Sequence, residues 1–145
     1  MKRKADASWK GNLKEGTGKL STQSGALKDT SYSFKSRFED EEGKAGTNPE
    51  ELIGAAHAGC FSMALSNMIA DAGYTPDEVS TTATVSIDKV EGGFAIGSIK
   101  LDLKGKVSGM DETKFKELAN NAKEGCPVSK ALSAVPIELV IAFEA

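Results

Sequence analysis

Residues 47–65, TNPEELIGAAHAGCFSMAL, decide how the rest of the chain reads. Thr47 or Asn48 offers a side-chain oxygen as a cap, and Pro49 suits the first helical position, where no amide donor is needed. Glu50 and Glu51 complement the positive end of the helix dipole. Behind them Leu52, Ile53, Ala56, Phe61, Ala64, Leu65, Met68 and Ile69 cover most of a helical circumference, so the spacing predicts a long buried helix that runs to about Gly73. That helix carries a histidine, His57, and a cysteine, Cys60, three residues apart in small apolar surroundings.

Outward from this helix the pattern changes period. The first forty residues hold short segments separated by glycine, including ASWKG, GTGKLSTQSG and TSYSFKSRFED, which predict an antiparallel meander of strands. After the helix, VSTTATVSI alternates Val79, Thr81, Ala83, Val85 and Ile87 with polar residues, the pattern of a half-buried strand. Glu91-Gly92-Gly93 turns the chain back. In the returning strand the apolar set moves from Phe94 and Ile96 to Ile99, Leu101 and Leu103, so a bulge is expected at Gly97-Ser98. Asp111 to Glu124 has helical spacing, CPVSKAL reads as a fresh short helix with Cys126 at its cap, and IELVIAF closes the chain as a strand. The expected order is meander, long helix, hairpin, two helices and final strand, an α+β arrangement in a single domain.

Composition narrows the chemistry. The chain of 145 residues is 39% hydrophobic, enough for an ordinary core, and its 18 basic and 21 acidic residues are mixed along it with a net charge of -3. No basic patch points to nucleic acid or to an anionic membrane surface. The apolar run Leu52 to Leu65 is shorter than the roughly 20 residues of a membrane span. The basic start MKRKADASWKG is followed by no apolar segment of the secretory kind, so the cytoplasm is expected. Two cysteines are too few for a disulfide scaffold, and they lie too far apart for a C-x-x-C motif.

Each thiol has a local argument of its own. Cys60 sits about three turns into its helix, beyond the reach of the dipole, and burial among alanines, Phe61 and Met63 would raise its pKa and make it inert. Lowering it by ~3 units would take about 4 kcal/mol, which an arginine held by a carboxylate could supply. Cys126, at a helix cap, faces backbone N–H groups that favour thiolate. His57 projects within about 60° of Cys60 and is open to the roles of base, metal ligand or hydrogen-bonded core residue. Glu50 lies on nearly the same stripe, because seven residues are close to two turns. Arg37, in FKSRFED, is one of two arginines and reads locally as a solvated charge at a strand end. His57, Cys60 and Cys126 lack the paired spacing of zinc ligands, and no phosphate-cradling or GxSxG motif occurs, so neither metal nor cofactor is expected.

Taken together, GTNPEELIGAAHAGCFSMAL around Cys60, GCPVSKAL around Cys126, SRFE around Arg37 and the early WKG and STQSGAL resemble the OsmC/Ohr family of thiol peroxidases, specifically its OsmC branch. In the Ohr branch the arginine comes from a glycine-rich N-terminal segment, whereas here only SRFE can provide it. Gly59 departs from the alanine that relatives often have before the cysteine. The resemblance implies antiparallel sheets around a long central helix in an intertwined homodimer. It implies reduction of organic hydroperoxides, and more weakly of hydrogen peroxide, to alcohols. Cys60 would be the peroxidatic thiol, Cys126 the resolving thiol, and Arg37 with Glu50 the activating ion pair; a dithiol, with dihydrolipoyl groups on proteins as the type the family suggests, would regenerate the enzyme. The other reading of these residues is a non-catalytic, stress-associated ligand-binding protein with two inert thiols.

Overall fold

The computed structural model describes all residues, 1–145. Its contacts divide the chain into two compact units, Met1–Leu52 and Ile53–Ala145, with the boundary inside the long helix.

In the first unit, β1 (Ala5–Lys10), β2 (Thr17–Thr22) and β3 (Thr30–Tyr32) form the expected antiparallel meander in that order. The third strand is shorter than TSYSFKSRFED suggests. After Tyr32 the chain coils into a π-helical turn, Lys35–Glu39, because Ser33 and Ser36 exchange side-chain and backbone hydrogen bonds and Ser36 Oγ donates to the Thr47 carbonyl at 3.0 Å. Local serine bonding of this kind competes with strand pairing. Arg37 therefore stands on a coiled turn and not at a strand end.

The long helix, α1, runs Pro49–Asp71. Asn48 is the residue that caps it, accepting from the Glu51 N–H at 2.8 Å, while Thr47 Oγ1 donates to the Glu51 carboxylate. From Ile53 on, α1 belongs to the second unit, where it buries Gly54, His57, Phe61, Leu65 and Ile69 and exposes Ala55, Ala56, Gly59 and Met63. Within one chain the helix is thus one-sided, although its apolar residues surround it. Composition identified what could be buried, and packing against a single sheet buries one stripe of it.

That sheet holds β4 (Glu78–Val90), β5 (Gly93–Lys106) and β6 (Ile137–Glu144) in this order. β4 and β5 make the antiparallel hairpin, and the register slips where Ser86 pairs with Ser98 and Ile87 with Ile96, leaving Gly97 as the extra residue of the expected bulge. β6 pairs with β5 in parallel, from Ile99↔Ile137 to Lys106↔Glu144. The second sheet is therefore mixed and not wholly antiparallel. The reason is the crossover between them: α2 (Glu112–Gly125) and α3 (Pro127–Ala131) carry the chain back so that β6 starts beside the start of its pairing on β5.

Asp111 caps α2, accepting from the Lys114 N–H, and the buried face of α2, Phe115, Leu118, Ala119 and Ala122, joins Phe61, Leu65 and Ile69 of α1 and Ile99, Leu101 and Leu103 of β5 in one core. The Phe115 ring stacks on Phe143 with centroids 4.5 Å apart. Gly105 lies beneath it, and a Cβ there would collide with the Phe115 ring. Gly105→Ala should accordingly cost about 1–3 kcal/mol in denaturant unfolding, whereas Gly59→Ala, into open space on α1, should add up to about 1 kcal/mol. Equal stability of the two variants would contradict this packing.

Candidate active site

The residues singled out in the sequence come together as two pairs, one in each unit. Arg37 and Glu50 form the first. Arg37 Nη2 donates to Glu50 Oε1 at 2.7 Å, and Nε reaches both carboxylate oxygens at 3.2 Å. Glu50 is 6% exposed, on the first turn of α1, and this two-pronged grip fixes the guanidinium plane. The Phe38 ring lies 4.9 Å from Arg37 Cζ and supports the same cation. Arg37 also forms part of the wall of a cleft of about 420 Å³ in the first unit, together with Trp9, Leu13, Tyr32, Phe34 and Phe38. The aromatic lining is a feature that sequence reasoning missed, since the strands and turn that converge there are far apart in the chain.

Cys60 and Cys126 form the second pair. Their sulfurs are 3.0 Å apart and both thiols are free. Cys126 occupies a junction. It is the C-cap of α2 and the N-cap of α3 at once, in extended backbone (φ -60°, ψ 127°), with its N–H bonded to the Ala122 carbonyl and its sulfur accepting from the Ser129 N–H at 3.5 Å. Its side chain is fully buried, whereas that of Cys60 is partly open to solvent.

The two thiols are in hydrogen-bond contact, and their surroundings differ. Burial raises the Cys60 pKa, the hydrogen bond to Cys126 raises it further, and a bond to the Val128 backbone only partly offsets this. Burial also acts to raise Cys126, but hydrogen bonds from Cys60 and from the Ser129 backbone and side chain outweigh it, so its pKa falls below the usual thiol value. Either sulfur can donate to the other. Of the two sulfurs, Cys126 has the more donors around it.

His57 is neither a free base nor a partner of Cys60 in hydrogen bonding. It is fully buried, and its Nε2 lies 2.7 Å from Ser129 Oγ. Nδ1 is buried with no hydrogen-bond partner. A proton on Nδ1 would be a buried donor with nothing to accept it, at a cost of roughly 1–3 kcal/mol, so the surroundings assign the proton to Nε2, which donates to Ser129. Ser129 carried no signal of its own in the sequence. Its position three residues after the capping Cys126 was the one available hint.

The family is shown by the likeness of this chain to known proteins. The OsmC-like protein family model matches residues 40–140, and the chain belongs to the OsmC-like family. It is 53% identical over 132 residues to the protein named Peroxiredoxin OsmC of Escherichia coli K12, a match that covers 91% of this chain and 90% of the relative. The organic hydroperoxide resistance protein OhrB of Bacillus subtilis is 38% identical over 92 residues, covering 63% of this chain and 65% of its own. The crystal structure of OhrB superposes with a TM-score of 0.71 at 30% identity, over 96% of this chain and 98% of that one. An OsmC-like protein of Vibrio cholerae, at 16% identity, shares the fold with a TM-score of 0.74.

Burial holds His57 below the ordinary imidazole value of 6.5. The unfolded chain therefore takes up a proton that the folded protein refuses, and the stability preserved above pH 6.5 is lost as the pH falls through the lower folded value. His57→Gln should remove this component, flattening the acid limb of stability by up to about 1.4 kcal/mol per pH unit. Denaturant melts across that range check it, and identical slopes for both proteins would refute it.

Proposed function

We propose that the protein is a cysteine-based peroxidase that reduces organic hydroperoxides to alcohols, and hydrogen peroxide more weakly. The observation that carries this reading is the 3.0 Å separation of the two free sulfurs in a chain 53% identical to a protein named a peroxiredoxin. Cys60 is assigned the first step on accessibility, since a peroxide can reach a partly open sulfur and not one that is fully buried. Its thiolate attacks the peroxide; an S–O bond forms, the O–O bond breaks, and the alcohol leaves with a proton, so that Cys60 becomes a sulfenic acid. Cys126 thiolate then attacks that sulfur, forming the disulfide and expelling hydroxide, which leaves as water. This closes off the higher rungs of cysteine oxidation.

Burial and the bond to Cys126 push the Cys60 pKa up, so the first step requires a cation that favours thiolate on Cys60. Arg37, gripped by Glu50, fills that role in this reading. Glu50 occupies the Nε and Nη2 edge, leaving Nη1 donors for a thiolate or for the charge that develops on the departing oxygen. An apolar, aromatic cleft beside this guanidinium suits the organic tail of a hydroperoxide.

The proposal extends to the assembly and setting. The chain acts as one OsmC-like domain in a homodimer, supported by the surface that a single chain leaves open: β1 is exposed along its length, and Met63 of α1 is 78% exposed. Two free thiols in contact suit the reducing cytoplasm. Regeneration falls to an external dithiol, and a dihydrolipoyl group on a protein has the paired thiols needed to attack and then release the disulfide.

Reduced protein with excess dithiol should consume cumene hydroperoxide catalytically. Cys60→Ser should abolish consumption, Cys126→Ser should react and then accumulate overoxidised Cys60, and Arg37→Ala should slow the peroxide step roughly 10²-fold with the fold intact. Absence of consumption by the folded wild type would leave the fold shared and the activity not.

A further inference from the structure

The peroxidase chemistry above uses neither His57 nor Ser129, yet they are the two buried polar residues of the second unit, and they bond to each other beside the reactive sulfurs. A residue needed only to fill the α1 stripe next to Phe61 and Leu65 would be aliphatic, without the burial of an imidazole whose Nδ1 has no partner. With the imidazole proton on Nε2, the Ser129 oxygen is occupied as an acceptor, and its own hydrogen must point elsewhere. Ser129 is already held against Cys126, whose sulfur takes its backbone N–H at 3.5 Å.

We propose that His57 and Ser129 form a positioning relay, His57 Nε2–H to Ser129 Oγ and Ser129 O–H to Cys126 Sγ, that readies the resolving thiol for attack on oxidised Cys60. This rests on the assignment of Cys126 as the second thiol. His57 stays neutral throughout and transfers no proton; it orients a hydroxyl. The attack itself balances as written above: the S–S bond forms, the S–O bond of the sulfenic acid breaks, Cys126 is oxidised, and hydroxide takes up a proton. The groups that face the Cys126 sulfur are Cys60 from α1 and Ser129 and the Val128 backbone from α3, and the Ser129 side chain is among those that pull its pKa down.

The test isolates Cys126 in a Cys60→Ser background and follows thiolate ultraviolet absorbance against pH, with circular dichroism to verify folding. Ser129→Ala and His57→Leu should each raise the titration midpoint by about one pH unit, a tenfold loss of thiolate at a given pH. Ser129→Thr and His57→Gln, which keep a hydroxyl and an N–H donor respectively, should stay near the parent. In proteins that retain Cys60, excess peroxide should give more sulfinic acid on Cys60 in Ser129→Ala than in the wild type, as read by mass spectrometry. A midpoint unmoved in folded Ser129→Ala overturns the relay, and so does an equal shift in Ser129→Ala and Ser129→Thr. No peroxide and no Cys60 enter the titration, so failure of the peroxidase reading would show in the turnover assay and failure of the relay here.

Discussion

Everything at the dithiol depends on how the chain turns at Cys126. One residue ends α2 and begins α3, and Pro127 after it cannot continue the first helix while suiting the start of the second. The turn places a sulfur where two helices would otherwise leave orphan backbone groups, and the core made by Phe115, Leu118, Ala119 and Ala122 locks α2 against α1 so that this sulfur meets Cys60. The contact is therefore a product of core packing, not of sequence proximity.

The two cysteines divide their qualities unevenly. Cys126 has the donors and Cys60 has the access. In water the more acidic thiol would be expected to react first, but a buried sulfur is closed to a peroxide, so the proposed order follows access and needs an electrostatic correction at Cys60. A gripped arginine is a suitable means, because its charge is permanent and its orientation is fixed by the carboxylate.

Much of this was legible in the residues. Caps and periodicity located α1, the hairpin with its bulge, and the α2–α3 junction, because these features are written in neighbouring residues: Pro49 after Asn48, the phase change across Gly97, Pro127 after Cys126. Three features escaped. The π-helical turn around Arg37 depends on a hydrogen bond from Ser36 to Thr47, eleven residues on. The parallel placement of β6 depends on the whole crossover. The His57–Ser129 bond joins residues 72 positions apart, a distance at which periodicity carries no information.

The unequal exposure of the sulfurs also directs the return half of the cycle. In the proposed cycle an incoming thiolate would meet the disulfide at Cys60, the more open sulfur, so the mixed disulfide would form there and Cys126 would be expelled. Thiols of low pKa are better leaving groups, and the same N–H donors that make Cys126 a ready nucleophile stabilise it as it departs. On the proposed cycle the capped junction would thus be a two-way valve for electrons, easing both the closing and the opening of one bond.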